Sequence, residues 1–420
     1  MNDDERSGTR ALMEAVVHRD NLRSALKRVK ANDGSPGVDG MTTEQLSDHL
    51  RTHWPSIREQ LLSMRYQPQP VKWCEIPKAT GGTRVLGIPT ALDRFIQQAV
   101  LQVLQPRFDP TFSAHSYGFR PGRNAHQAID AARQYVAEGR HVVVDVDLKA
   151  FFDRIHHDVL MGRLARRIED KRVLKLIRAY LGAGILAHGV VMERHQGAPQ
   201  GGPLSPLLAN VMLDEVDKDL EARGHRFVRY ADDCNVYVRS VKAGERVMES
   251  LRKKYASLHL EINESKSAVA AVWGRKFLGY SFFRDAEGVV KKGVSASAQT
   301  TFRERVKSLT CRTQGRSLDQ VIKVLNLYLV GWKGYFGKTQ QKRLLHDLDG
   351  YVRRRLRMLR LRQWSRSSTI YRELRKLGMR IPTAWSISGS CGGWWPKSLK
   401  LAAALPPKWF DSLGLKRLRG

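Results

Sequence analysis

Cysteine is scarce in this 420-residue chain. Its four copies, Cys74, Cys234, Cys311 and Cys391, stand far apart with no Cys-x-x-Cys pair. That excludes a disulfide framework and the common zinc-finger spacings, and it suits a reducing cytoplasm. No apolar run approaches the ~18 residues a membrane-spanning helix needs, so no membrane partner is expected. The first ten residues, MNDDERSGTR, are polar and acidic, unlike a signal peptide. Internal repeats and low-complexity tracts are missing too. The largest deficit is in negative charge. Only 41 Asp and Glu face 72 Lys and Arg, a formal net charge of +31. A chain so basic calls for a polyanionic partner. What remains is ordinary globular composition, 42% hydrophobic and 27% charged, at a length that suggests two or three units.

The charge is unevenly spread. Residues 301–420 hold 27 Lys and Arg against 6 Asp and Glu, and six of the nine Trp. This shift suggests a boundary near 290–300. Before it, the pattern predicts helices over 11–31, 44–64 and 92–104. A hairpin of 71–76 with 84–89 carries Lys78 near its tip and Arg84 on its return limb. A buried β-branched strand is expected over His141–Leu148, and a strand–turn–strand unit over Phe227–Arg239.

Two acidic clusters stand out against this basic background. Tyr230-Ala231-Asp232-Asp233 places two carboxylates at a hairpin tip, where like charges repel unless cations neutralise them. Taken alone, an ordinary Asp-containing turn explains it equally well. The second cluster is Asp145-Val146-Asp147-Leu148, whose two carboxylates share one face of a strand, followed by Phe151-Phe152-Asp153. Together the clusters suggest a site for hard cations, Mg²⁺ or Mn²⁺ rather than Zn²⁺. Two such ions ~3.5–4 Å apart would activate an attacking hydroxyl and stabilise a leaving pyrophosphate. The Lys78–Arg84 hairpin would then meet a triphosphate.

In chain order these pieces resemble the reverse transcriptase/maturases encoded by bacterial group II introns, most closely the compact class C type. The resemblance rests on a series of blocks. Asn32-Asp-Gly-Ser-Pro-Gly37-Val-Asp39-Gly40 is similar to the extra N-terminal block of non-LTR-type enzymes. Ile76-Pro-Lys78 through Arg84-Val-Leu-Gly87-Ile-Pro89 and Asp93-Arg94 resemble the first finger blocks. Ser116-Tyr-Gly118-Phe119-Arg-Pro-Gly-Arg123 resembles a string typical of the family. Asp147-Leu-Lys-Ala-Phe-Phe152-Asp153, Gln196-Gly-Ala-Pro-Gln200-Gly201-Gly-Pro-Leu-Ser205-Pro206, Asn263-Glu-Ser-Lys266 and Phe277-Leu-Gly-Tyr280 complete it around Tyr230-Ala-Asp232-Asp233.

The resemblance implies an α+β right-hand polymerase with fingers, an antiparallel-sheet palm, an α-helical thumb and a small basic C-terminal DNA-binding region. It implies these divisions: N-terminal extension and start of fingers over 1–70, fingers and palm over 71–290, thumb or maturase domain over 295–375, and DNA-binding region over 376–420. Asp147 and Asp232 would bind two catalytic ions with Asp233 beside them, and the Leu148 carbonyl would be a further ligand. Lys78 and Arg84 would clamp the triphosphate. Phe152 would sit under the sugar and exclude a 2′-hydroxyl, Gln200 would lie over the nucleotide, and Lys266 near the primer end. Asp145 and Asp153 are expected to be structural, Asp153 by satisfying backbone donors. The implied partners are the intron RNA, an RNA template with DNA primer, dNTPs and target DNA.

In the basic third, Leu325 to Phe336 resembles the thumb segment, and Trp332 and Tyr335 read as core packing. Over 351–362, Val352, Leu356 and Leu359 form a buried stripe, with Arg353, Arg357 and Arg360 on an adjacent face that suits a nucleic-acid backbone. Trp394 and Trp395 could stack on unpaired bases or simply pack. Two alternatives to an intron-copying enzyme stay open: a splicing maturase whose polymerase site is dead, and a host-adopted reverse transcriptase in repair or defence.

Overall fold

The computed structural model describes residues 9–77, 83–187, 190–311, 315–390 and 393–419. They divide into two compact units, Met1–Ala271 and Val272–Gly420.

The first unit opens with α1 (Leu12–Val16), α2 (Arg19–Asn32) and α3 (Leu46–Leu62). The helix expected over 11–31 is thus two. His18 takes an extended conformation between them, and its ring caps α2 by accepting from the Asp20 amide. β1 (Val71–Pro77) and β2 (Thr83–Ile88) form the expected antiparallel hairpin, with Ile76 opposite Arg84. Lys78, expected near the tip, lies outside the described residues. α4 (Ala91–Phe108) packs on α2, and α5 (Ala125–Ala137) starts in a capping box between Asn124 and Gln127. β3 (Val142–Val146), α6 (His157–Ala165), α7 (Lys171–Gly182), β4 (Ile185–Ala187) and β5 (Val190–Met192) follow. α8 (Ser205–Ala222), β6 (Arg226–Tyr230), β7 (Asp233–Val238), α9 (Val241–Ala256) and β8 (Ala268–Ala271) complete the unit.

The described strands of this unit make two four-stranded sheets. In one, β1 lies between β2 and a parallel β4, with β5 on β4's other edge. The other runs β6-β7-β3-β8 and is antiparallel throughout. β3 is an inner strand of this sheet, and all four of its valines are buried. β-branched side chains suit such a strand. α9 packs across β3, β7 and β8, while α5 packs on β6 and β7. The carboxylates at the ends of β3 and β7 therefore rest on a rigid sheet.

In the second unit, β9 (Tyr280–Arg284) and β10 (Val290–Val294) form an antiparallel hairpin. The helices are α10 (Ala296–Leu309), α11 (Leu318–Phe336), α12 (Lys342–Trp364), α13 (Ser367–Lys376), α14 (Ile381–Gly389), α15 (Trp394–Lys400) and α16 (Pro407–Ser412). Trp332 is buried in their core, 4.8 Å from both Phe302 and Phe336. The boundary differs from the 290–300 suggested by charge, because the β9–β10 hairpin is tied to α11. Tyr280 Oη donates to the Tyr335 carbonyl at 2.6 Å, and Tyr335 Oη donates to the Leu278 carbonyl at 2.8 Å. Packing, not charge, sets where a unit begins.

The basic helix α12 corrects one expectation. Arg357 is not on an open face: it is 7% exposed and donates from Nε and Nη2 to the Leu405 carbonyl at 3.0 and 2.8 Å. Burial pushes its guanidinium down to about 10. The reason is tertiary, because the segment carrying Leu405 and Phe410 covers the helix there, with the Phe410 ring 5.5 Å from Arg357 Cζ. Arg353 and Arg360 are half-buried, and Arg360 lies over Trp364. Trp394 and Trp395 pack rather than stand free. Arg354 covers the Trp395 ring at 3.8 Å, and Trp394 packs on the unit's core. The exposed tryptophan is instead Trp385, at 64%.

Candidate active site

Strand register places the carboxylates. Val146 pairs with Cys234, so the next residue, Asp147, falls beside Asp233. Tyr230 pairs with Asp233, which leaves Ala231 and Asp232 as a two-residue turn. Ala231 has φ +57°, the positive value that tight hairpin turns favour. Asp232 is half-buried and Asp233 exposed.

The peptide of Asp147 is gripped from the other edge. Its N–H donates to Ser267 Oγ at 3.0 Å, and its carbonyl accepts from the Asn263 amide at 2.8 Å. Lys266, in the same turn, puts Nζ 3.9 Å from Asp147 Oδ1. Sequence reasoning found Lys266 but missed Ser267. The bonds flanking the Leu148–Ile262 bridge run from Lys149 N to Glu261 O and from Asn263 N to Asp147 O. In that pattern Leu148's own carbonyl points away from Ile262, toward the β7 side. Asp145 lies within the sheet opposite Asn235, whose amide, suitably oriented, donates to Asp145 Oδ1 at 2.9 Å. Asp153 meets the Arg194 guanidinium at 3.7 Å, a side-chain partner where backbone donors were expected.

The Gln196–Gly201 segment joins three other parts of the site. The Gln200 carbonyl accepts from the Gly87 amide of β2 at 3.0 Å, so Gln200 lies against the strand that bears Arg84. Ala198 N donates to the Phe152 carbonyl at 2.7 Å, and Gly197 N to the Ile155 carbonyl at 2.7 Å. Phe152 itself is 8% exposed, with Phe151 and Phe119 at 5.2 and 6.5 Å. Gly201 has φ +132°, and a Cβ there would stand 2.9 Å from the Gly87 carbonyl, so glycine is required on both counts.

Ser116–Arg123 lies behind the hairpin. Tyr117 N donates to the Arg229 carbonyl and Arg229 N to the His115 carbonyl, both at 2.9 Å. Gly118 is pressed so close that a Cβ on it would sit 2.1 Å from Ala231 N.

A half-buried imidazole, His115, and a buried one, His157, frame these segments. His115 Nδ1 is 2.9 Å from Tyr135 Oη, and His157 Nε2 is 2.8 Å from the Gly197 carbonyl. Burial holds both below the ordinary value of 6.5. As pH falls through 6.5, the unfolded chain binds protons that the folded chain resists, so stability drops. The Tm should decline between pH 7.5 and 5.5, and His157→Gln, which keeps a donor for Gly197, should flatten that slope. An unchanged slope in the variant would clear His157 of this role.

The donor set suits hard divalent cations, being carboxylates and a carbonyl with no thiol among the site residues. Among the described residues, no three His, Cys, Asp or Glu side chains close around a single point. The carboxylates line adjacent strand ends, with Lys266 beside Asp147. No described helix is long and apolar enough to cross a membrane.

Comparison with known proteins agrees with this geometry. Residues 76–282 match the family model "Reverse transcriptase (RNA-dependent DNA polymerase)", and residues 299–378 match "Group II intron, maturase-specific domain". Protein YkfC of Escherichia coli K12 is 33% identical over 316 residues, covering 65% of this chain and 83% of that protein. The group II intron-encoded protein LtrA of Lactococcus lactis subsp. cremoris is 29% identical over 322 residues, covering 76% of this chain but only 47% of the relative. A putative COX1/OXI3 intron 1 protein of Saccharomyces cerevisiae is 31% identical over 221 residues, 52% of this chain and 26% of that protein. An α+β right-hand polymerase unit followed by a maturase domain, with the ordered blocks seated on it, places this chain in the family of group II intron-encoded reverse transcriptase/maturases.

Proposed function

We propose that this chain copies its own intron RNA into DNA at the ends of β3 and β7 and assists that RNA to fold and splice. The observation that carries the reading is the register that sets Asp147 beside Asp233 at the Ala231–Asp232 turn, on a sheet of a strongly basic protein. In the reaction, the primer 3′-hydroxyl attacks the α-phosphorus of a dNTP and pyrophosphate leaves. Two divalent ions, Mg²⁺ or Mn²⁺, held by Asp147, Asp232, Asp233 and the Leu148 carbonyl, would activate the hydroxyl and offset the charge of the leaving group. Lys78 and Arg84 hold the triphosphate, and Gln200 lies over the nucleotide. Lys266 stands at the primer end, where its ammonium also tempers Asp147.

The intron RNA is held by shape and by its phosphates, on a second unit whose surplus of cations is large. The RNA performs its own cutting and joining. The particle then enters target DNA, where a DNA 3′ end serves as primer and the chain copies the intron from it. The compact class C type and a cytoplasmic location are part of the same proposal.

Phe152 gates the sugar in this reading. Phe152→Ala should admit ribonucleotides, lowering discrimination against them by at least about tenfold. Steady-state incorporation of each nucleotide class checks this, and unchanged selectivity would remove Phe152 as the gate. The test of the function as a whole is primer extension on a heteropolymeric RNA template with dNTPs and Mg²⁺. Long cDNA supports it. No cDNA from folded protein that binds intron RNA tightly would leave a splicing factor without a polymerase.

A further inference from the structure

Beneath the Tyr230–Asp233 turn lies an ion pair with no solvent access. Arg229 and Asp217 are both 0% exposed. Arg229 Nε donates to Asp217 Oδ1 and Oδ2 at 2.8 and 3.0 Å, and Nη2 donates to Oδ2 at 2.6 Å. Its remaining arm, Nη1, donates to two acceptors at 2.9 Å each: Asn210 Oδ1 and the carbonyl of Ala231. Asn210 is 1% exposed and passes the contact on, its Nδ2 donating to the Gly118 carbonyl at 3.0 Å. Gly118 in turn presses on the Ala231 amide.

We propose that Arg229, locked by Asp217 and relayed through Asn210 to Gly118, is a positioning brace that aims the Asp232 carboxylate. The inference rests on the reading of Asp232 as catalytic. Its physical basis is direction. A buried ion pair adds little net stability over apolar packing of the same volume, because desolvation offsets the attraction. A guanidinium does hold its donors in a fixed planar fork. Here the fork captures the carbonyl of Ala231, while Gly118 packs against that residue's amide. A non-glycine residue at positive φ is disfavoured unless its surroundings impose it. Ala231, the residue preceding Asp232, is thus held at its carbonyl by Arg229 and hemmed in at its amide by Gly118.

The brace also has a definite reference frame. Asn210 and Asp217 lie on α8, whose first residue, Ser205, donates from Oγ to the Pro199 carbonyl at 2.7 Å. One helix therefore spans from the Gln200 segment to the brace, and the turn bearing Asp232 is set against the same element as the nucleotide segment.

The test compares Asn210→Ala, which leaves the ion pair whole, with Arg229→Lys, which keeps the charge and loses the fork. Three readouts are taken on the full chain: hydrogen exchange of residues 226–238 without metal, Tm, and kcat and KM for dNTP on an RNA template. The brace predicts exchange at 230–233 faster by about tenfold or more, a kcat lowered about 10- to 100-fold, and a KM within about twofold of wild type. In Asn210→Ala the Tm should fall by no more than a few degrees, the cost of one unpaired buried carbonyl. A merely structural role would quicken exchange across the whole sheet and lower Tm, with kcat per folded molecule unchanged, and would overturn the proposal. So would normal exchange and kcat in Asn210→Ala, which decides the matter if Arg229→Lys does not fold. Asp232→Ala is run alongside: if it still makes DNA, the reading of the site has failed, whatever the brace does.

Discussion

Asp232→Ala is expected to lower DNA synthesis at least about a thousand-fold, about 4 kcal/mol of transition-state stabilisation, while leaving intron-RNA affinity near wild type. Phosphoryl transfer leaves the protein little covalent work, so positioning and charge carry the rate. The fold should not suffer. Asp232 sits at a turn next to Asp233, and removing one of two neighbouring like charges relieves repulsion. The Tm is therefore expected to hold or rise slightly. Single-turnover extension, RNA-binding titration and a melting curve on one preparation check the three parts. Equal loss of extension and RNA binding would mean that the variant is misfolded or that the roles are wrongly assigned.

Gly118→Ala is expected to be nearly as damaging, through geometry alone. The added methyl would sit 2.1 Å from Ala231 N, a backbone atom of the turn that carries Asp232. One of the two must move. Overpacking of this kind costs about 1–3 kcal/mol of stability, which a unit of this size can absorb. Displacing Asp232 is a different matter, because a carboxylate in the proposed catalytic role tolerates shifts well under an ångström. We expect extension to fall at least about a hundred-fold with RNA binding kept and a Tm lower by a few degrees. Wild-type extension would show that the turn yields without consequence. Ala at a position that merely connects elements should be close to neutral, so the contrast is sharp.

These two residues differ in how they could be found. Asp232 announces itself, because paired carboxylates flanked by apolar residues in a basic protein are chemically conspicuous. Gly118 belongs to a recognisable string, yet its function is contact with a residue more than a hundred positions away. Arg229 is further hidden. On the page of letters it is one of 72 basic residues beside an obvious motif, and a charged residue there reads as solvent-facing. The fold buries it completely and supplies Asp217, Asn210 and the Ala231 carbonyl as partners. Arg357 makes the same point in reverse. Helical spacing put it on an open basic face, and the Leu405–Phe410 segment, about fifty residues later, closes over it.

The amino-acid order by itself determined the basic character, the β3 and β6–β7 strands, the acidic clusters and the family, because charge, β-branching and block order are local properties of the chain. Only the tertiary structure decided that the unit boundary falls at 271/272, that Ser267 holds the Asp147 peptide, and that an ion pair lies under the Asp232 turn. Burial and partnership are properties of pairs of distant segments. Packing writes them only once the chain has closed on itself.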